Sequence, residues 1–573
     1  MNTSDIEKLD TDKHYCRILY DILLAKGVKD IVLSPGSRNA PLLIGASCRP
    51  FNGRIITDER TAAFVALGIA LTANRPVALV CTSGTALYNY APAIAEAYYQ
   101  HIPLIVITAD RPLEWIDQDD SQTLIQPGAL DKIVKGSYDI PVENQDRRQE
   151  HWYVNRIVNE ACNLALSERK GPVHINIRLD NPLNGTIPYS PTQPRIIEHI
   201  SDVNLPPHIY KKLTGELNGK KVLITAGFMQ PDHDLNRWIR QFAEFPNVAI
   251  MSETLSNLHL DGDPYSIDTA LSYLENHSTP DVINQLTPDV VISIGGALIS
   301  RKLKEFLRNN PPAEHWTLGD TSPSSDCFMC LSRHIDVYPA KFFKGISHHM
   351  LKMQKGCKTS EYKHVWSDLR TKALKSHDEY IAQAGDWSEM TAFKYMLDNL
   401  PSSFNLFLSN GTAVRYGQLF TEKIPHATFG CRGVSGIDGT SATAAGCAMA
   451  YPGETILISG DMSMSYDTGV LGLKDIPERF KIIVINNNGG GIFRFIPSTR
   501  NCPEREELFC APPILPLKKL ADAYGWKYMK AESMSELIDT YQVFLQTGQK
   551  AILEIKADKD YSADVLVNYM KRK

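Results

Sequence analysis

The stretch from Gly460 to Phe493 reads GDMSMSYDTGVLGLKDIPERFKIIVINNNGGGIF and constrains the fold more than any other part of the chain. Just before it, Glu454-Thr-Ile-Leu-Ile-Ser459 is a short apolar run with β-branched residues, the pattern of a buried strand, and it gives way to Gly460-Asp461. A second such run, Lys481-Ile-Ile-Val-Ile485, ends on Asn486-Asn487-Asn488 and the glycines 489 to 491. Asp461 and Asn487 are 26 positions apart, about the length of one strand–helix–strand unit. Two neighbouring parallel strands would then present an acid, an amide and a Gly-rich turn on one carboxyl edge, where open α/β sheets bind ligands.

Oxygen donors of this kind suit Mg²⁺, which takes a few protein oxygens and fills its remaining positions with phosphate and water. Glycines let backbone groups approach a diphosphate closely. Each half alone is an ordinary turn, because Gly-Asp and Asn-Gly are common turn formers. Together, at this spacing, they are far more specific.

The rest of the chain repeats the theme of strands that end in polar loops. Asp30-Ile-Val-Leu33 runs into Ser34-Pro-Gly-Ser-Arg-Asn39, and Arg54-Ile-Ile56 into Thr57-Asp-Glu-Arg60, after which Thr61 to Thr72 is helical in pattern. Val77–Cys81 and Leu104–Ile107 end on Thr82-Ser-Gly-Thr85 and Thr108-Ala-Asp-Arg-Pro112, and Pro172–Ile177 completes the first region. Strands alternating with helices predict doubly wound parallel sheets. The proline-dense stretch 181–194 reads as a linker. A second region opens with Lys221–Gly227 and includes Asp289–Ile294, ending on Gly295-Gly296 without a complete G-x-G-x-x-G. Residues 355–390 are charged and helical in pattern, a connector to a third region. The expected architecture is α/β, with three such domains at 1–190, 196–355 and 385–573.

A chain of 573 residues supports several domains, each with its own core. A net charge of −5 gives no basic field for nucleic acid. No apolar run approaches the roughly 18 residues of a membrane span, and the polar start MNTSDIEKLDTDKH is no secretory signal, so the expected compartment is the cytoplasm. Of the eleven cysteines, only Cys327-Phe-Met-Cys330 has a suggestive spacing, with no second pair and no His-x-x-x-His beside it. His348-His349 lies in a polar stretch and is expected to face solvent.

The pair Gly-Asp-x, then about 25 residues, then Asn-Asn, resembles the signature of thiamine-diphosphate (ThDP) decarboxylases and carboligases. The resemblance implies Asp461, the Asn487 side chain and the Gly489 carbonyl as ligands of Mg²⁺ (or Mn²⁺), with Asn488 the alternative amide. It also implies that Gly460, Ser463, Asn410 and Ile492 line the cofactor, and that Ile437 props its two rings into a V. Glu59 reads locally as a first-turn glutamate of a helix capped by Thr57 or Asp58. By resemblance it is the acid that bonds N1′ of the aminopyrimidine, and for that it should be buried, so that desolvation favours the protonated form.

The strings SPGSRNAPL, ITADRP, RGVSGIDG and NNNGGGIF, in that order across the whole chain, are similar to those of the 2-succinyl-5-enolpyruvyl-6-hydroxy-3-cyclohexene-1-carboxylate synthase family of menaquinone biosynthesis. Membership would imply decarboxylation of 2-oxoglutarate and 1,4-addition of the succinyl carbanion equivalent to isochorismate. It would also imply self-association, a dimer at least and usually a tetramer. Substrates with several carboxylates need several cations to offset their desolvation. Ser37, Arg38, Arg111, Gln122, Arg301, Lys302, Arg415 and Arg432 fall at strand ends or in the loops and helix starts that follow. By resemblance they are the polar substrate positions, with Ile492, Phe493 and Ile496 an apolar wall. The family has Lys-Arg where this chain has Arg301-Lys302, which keeps charge but not bidentate geometry. The rival readings are another ThDP-dependent 2-oxo acid carboligase or decarboxylase, acetohydroxyacid synthase-like, and a non-catalytic ligand-binding protein that kept the fold.

Overall fold

The structure, a computed structural model, describes residues 8–144, 148–167, 169–260, 267–319, 325–353, 361–385, 387–420 and 425–572. Three parallel sheets organise it. The first is six-stranded, in the spatial order Asn52–Ile55, Asp30–Leu33, Val77–Cys81, Leu104–Asp110, Val173–Arg178, Ser137–Ile140. The third has the same order when its strands are ranked along the chain: Ala427–Phe429, Asn405–Leu408, Thr455–Gly460, Phe480–Ile485, Ala551–Ile555, Lys527–Ala531. The second is five-stranded: Val248–Ser252, Val222–Ala226, Val290–Ile294, Glu314–Leu318, Leu331–Ile335. The expected α/β class is therefore what the chain adopts.

The central strands are buried on both faces, which is why they read as unbroken apolar runs rather than as alternating ones. Residues 181–194 do more than link: Thr186–Pro188 pairs antiparallel with Leu9–Thr11. His348 and His349 lie in the helix Pro339–Met353, where His348 is exposed against Trp238 and His349 is half-buried, stacked on Tyr210. Of the expected connector 355–390, residues 355–360 and 386 lie outside the described ones, and Tyr362–Gln383 is a helix.

The chain forms two compact units. One holds the first sheet, runs to Ser201, and includes Cys431–Pro452 and Tyr466–Pro477. Within it the helices Glu59–Ala73 and Thr440–Ala450 pack face to face. Their approach depends on two glycines: a Cβ on Gly68 would lie 1.9 Å from the Thr443 carbonyl oxygen, and one on Gly446 would lie 2.2 Å from that of Val65.

The other unit holds the second and third sheets. These are joined by hydrogen bonds of buried side chains, such as Asn257 Nδ2 to the Thr428 carbonyl (3.0 Å) and the Thr254 amide to Gln418 Oε1 (2.8 Å). At the second sheet's switch between Val222–Ala226 and Val290–Ile294, the backbone closes on itself. A Cβ on Gly227 would lie 2.0 Å from the Gly296 carbonyl, and one on Gly296 would enter the Phe228 ring. Among the described residues, no helix is long and apolar enough to cross a membrane.

Candidate functional site

In the third sheet, Asn405–Leu408 and Thr455–Gly460 are adjacent strands whose connections leave in opposite directions, the switch point of a doubly wound sheet. The Gly460 amide donates to Ser409 Oγ across it (3.3 Å). Asn410 follows the first of these strands and is buried. On the other side, Gly460 is in register with Ile485, so Asp461 and the asparagines leave the sheet side by side.

The Asp461 carboxylate is buried; Oδ2 accepts from the Gly489 amide (2.7 Å) and Oδ1 from the Met462 amide (2.8 Å). Gly489 sits at φ +111°, and a Cβ there would meet the Cys510 carbonyl at 2.3 Å, so the close turn requires glycine. Asn487 is buried, whereas Asn488 is exposed. Ser463 lies buried in the short helix Asp461–Tyr466. Ile492, Phe493 and Ile496 are half-buried just past the glycines, with Phe493 against Phe509.

Glu389, absent from the sequence reading, completes this cluster. It is fully buried, and its Oε1 accepts from Asn487 Nδ2 at 2.7 Å. The bond commits the amide nitrogen to Glu389 and leaves Asn487 Oδ1 as the free donor for a cation. Burial pushes the Glu389 carboxyl up to about 7, with the charge of Asp461 adding to the rise, and burial pushes Asp461 up to about 6. The nearest cation, Arg494, is already spent: it donates to the carbonyls of Asn487 (2.9 Å) and Asn488 (2.8 Å) and pairs with Glu506 (2.9 Å). Two buried acids with so little positive charge beside them form a site short of a cation. With an amide oxygen alongside, the donor set fits Mg²⁺ or Mn²⁺. Asp461, Asn487 and Gly489 would hold the ion, and the Gly-rich turn would hold the diphosphate.

The compact unit of the first sheet carries Glu59, Ile437 and several of the predicted substrate residues. Glu59 heads its helix, and Asp58 is the cap, accepting from the Arg60 amide at 3.1 Å. Asn89 Nδ2 lies 3.5 Å from Glu59 Oε2. Glu59 is half-buried rather than buried as expected, because it occupies the first turn of a helix whose buried face begins at Thr61. Ile437 and Arg432, also half-buried, stand in the loop leading to Thr440–Ala450.

Two further acids hold that loop, and the sequence reading missed both. Glu96, buried in the helix Ala86–Gln100, accepts from the amides of Gly433 (2.6 Å) and Val434 (2.8 Å). Asp467 accepts from those of Gly439 (3.1 Å) and Ser441 (3.0 Å) and faces Arg60 at 3.4 Å. No local motif marks either acid, since their partners are far away in sequence.

Ser37 and Arg38 follow Asp30–Leu33; Ser37 is exposed, while Arg38 is buried and donates to the Leu179 carbonyl (3.0 Å). Burial and the neighbouring Arg111 push the Arg38 guanidinium below its usual range. Arg111 pairs with Asp120 (2.7 Å) and donates to the Ser121 carbonyl, next to the exposed Gln122 at φ +55°. In the other unit, Arg301 and Lys302 begin the helix Arg301–Asn309. Arg301 is turned to solvent and pairs with Glu305, while Lys302 pairs with Glu275. Lys302 and Arg415 both lower the pKa of the half-buried Asp268, whereas Arg301 stays with Glu305 at the surface.

A family profile described as "Thiamine pyrophosphate enzyme, N-terminal TPP binding domain" matches residues 14–130. The chain is 40% identical over 568 residues to the 2-succinyl-5-enolpyruvyl-6-hydroxy-3-cyclohexene-1-carboxylate synthase of Porphyromonas gingivalis, covering 98% of this chain and 97% of that one. Proteins of the same name from Christiangramia forsetii (35% identical; 96% of this chain, 97% of that one) and Bacteroides thetaiotaomicron (34%; 98% and 98%) are similar over the same span.

Proposed function

Because the chain belongs to the 2-succinyl-5-enolpyruvyl-6-hydroxy-3-cyclohexene-1-carboxylate synthase family, we propose that it is a ThDP- and Mg²⁺-dependent transferase of menaquinone biosynthesis, acting in the cytoplasm. It decarboxylates 2-oxoglutarate and joins the succinyl unit to isochorismate. The observation that carries this reading is the hydrogen-bonded set Asp461, Gly489, Asn487 and Glu389 at the switch point of the third sheet.

When bound, ThDP supplies the electron sink that decarboxylation requires. The residues do the rest. Asp461, Asn487 and Gly489 would hold the metal and with it the diphosphate, and Gly460, Ser463, Asn410 and Ile492 would line the cofactor. Glu59 gives and takes a proton at N1′ of the aminopyrimidine. Ile437 would pack against the cofactor, and Glu96 and Asp467 fix the loop that carries it. Glu59 is only half-buried in the single chain. The desolvation its role demands therefore comes from the cofactor and a second copy, which makes a dimer the smallest active form and fits a tetramer built from it. Arg38, Arg111, Lys302, Arg415 and Arg432, with Ser37 and Gln122, take the substrate carboxylates and hydroxyl. Arg301 serves at the rim, and Phe493 and Ile496 form the apolar wall.

The test is a mass-resolved product assay with 2-oxoglutarate and isochorismate. The adduct and CO₂ should appear together, and only with ThDP and a divalent ion. Turnover of pyruvate without any need for isochorismate would replace this reading with a general carboligase.

A further inference from the structure

We propose that His315, Asp326 and Cys330 form a zinc site at the edge of the second sheet, separate from the ThDP centre. Topology builds it. His315 lies on Glu314–Leu318 and Cys330 immediately precedes the edge strand Leu331–Ile335, with His315 in register with Leu331. The register shifts between His315 and Trp316, a bulge of the kind that re-aims a side chain. Ser332 absorbs the irregularity: its hydroxyl accepts from the His315 amide (3.1 Å) and donates to the His315 carbonyl (3.1 Å). The turn before the strand brings Asp326 back over the same spot, where Oδ1 accepts from the Cys330 amide at 3.0 Å. One ligand atom from each of the three side chains lies within 4.8 Å of the other two.

The imidazole gives the second, independent observation. His315 is 1% exposed, and its Nδ1 is a buried polar atom without a hydrogen-bond partner. Its Nε2 lies 2.9 Å from Ser293 Oγ, which is 2.8 Å from Thr225 Oγ1. With Nε2–H donating to Ser293 and Ser293 donating to Thr225, Nδ1 presents a lone pair, and the ring is oriented as in metal-bound histidines. Nδ1 is 3.7 Å from Asp326 Oδ1. That is too long for a hydrogen bond. It is close to the roughly 3.4 Å that separates two ligands of a tetrahedral ion bound at about 2.0–2.2 Å.

One nitrogen, one carboxylate oxygen and one thiolate are a zinc donor set rather than a magnesium one. Water takes the fourth position, on the side where Asp326 is open to solvent. Binding releases the thiol proton of Cys330 to solvent. The ion would pin the 326–330 turn to the sheet edge. Cys327 stands outside the cluster.

The experiment uses the full-length protein, reduced, stripped with chelator and titrated with Co²⁺. An oxygen-only Mg²⁺ site yields no thiolate charge-transfer band, so the band reports a thiolate site, and the cysteine variants assign it. One Co²⁺ per chain should produce it, and one equivalent of Zn²⁺ should bleach it. Cys330→Ser should abolish the band, and Cys327→Ser should keep it. Asp326→Asn, a change at an exposed position that spares the core, should weaken Zn²⁺ by more than the roughly 10–100-fold typical of losing a mere supporting group. Absence of the band in the parent protein would overturn the proposal. So would its survival in Cys330→Ser, or a Cys327–Cys330 disulfide in metal-free protein isolated without reductant.

Discussion

The two six-stranded sheets share one strand order but carry opposite chemistry at their carboxyl edges. The first places Ser37, Arg38 and Arg111 there, and an acid, Glu59, at the head of the helix after its second-ranked strand. The third places Asp461, Asn487 and three glycines at its switch point, with Glu389 buried beneath them. In both, the topology decides where a ligand is received, and the loop residues decide which part of it. The second sheet shows the converse: with Gly227 and Gly296 in backbone contact, its switch point is closed.

The sharpest way to break this contrast is to remove the metal-side acid. Asp461→Ala should lower turnover by a factor on the order of 10³ or more and abolish the Mg²⁺ dependence of ThDP binding, measured by fluorescence titration. Retained metal-dependent binding would move the metal elsewhere. Glu59→Gln should do the opposite with respect to binding. Turnover should fall by a factor on the order of 10² while ThDP affinity stays within about tenfold, because only a proton-transfer role is lost. Near-normal turnover would remove Glu59 from the mechanism.

A smaller effect separates the buried acids from the half-buried Glu59. The ordinary value for Glu389 is 4.5 and burial raises it to about 7. The folded, metal-free protein therefore keeps the full contribution of protonated Glu389 below about pH 4.5 and loses it as pH rises through 7. The loss is on the order of 3 kcal/mol. Asp461 acts in the same direction between 3.8 and about 6. Urea midpoints in chelator at pH 5 and pH 7.5 should differ less in Glu389→Gln than in the parent chain, and equal differences would place Glu389 outside the titrating cluster. The smallest effect is expected for Arg415→Ala, which should raise the KM for isochorismate by about tenfold with little change in ThDP binding. Unchanged kinetics would leave Arg415 a structural role.

Much of the fold was legible because buried parallel strands announce themselves. Ile31–Leu33, Val77–Cys81 and Ile482–Ile485 are continuous apolar runs. Edge strands such as Ser137–Ile140, Leu331–Ile335 and Lys527–Ala531 mix charge with apolar residues and passed unread. Val248–Ser252 and Ala551–Ile555 are largely apolar and carry the same signal as the buried strands. Asp461 and Asn487 could be found because adjacent strands bring a fixed spacing to one edge. Glu389 could not, since its local context is a helix start after Ser388, and only tertiary packing turns it toward Asn487. The same holds for Cys330, whose partner His315 sits on the neighbouring strand rather than nearby in sequence.

The two helices that meet at Gly68 and Gly446 leave no spare room between their backbones. One has Glu59 at its head, and the other is entered through Ile437. A heavier residue on either seam would push both ends out of alignment at once. The atoms that a side chain would meet at either seam are backbone and cannot be trimmed, so related sequences should keep glycine at both positions.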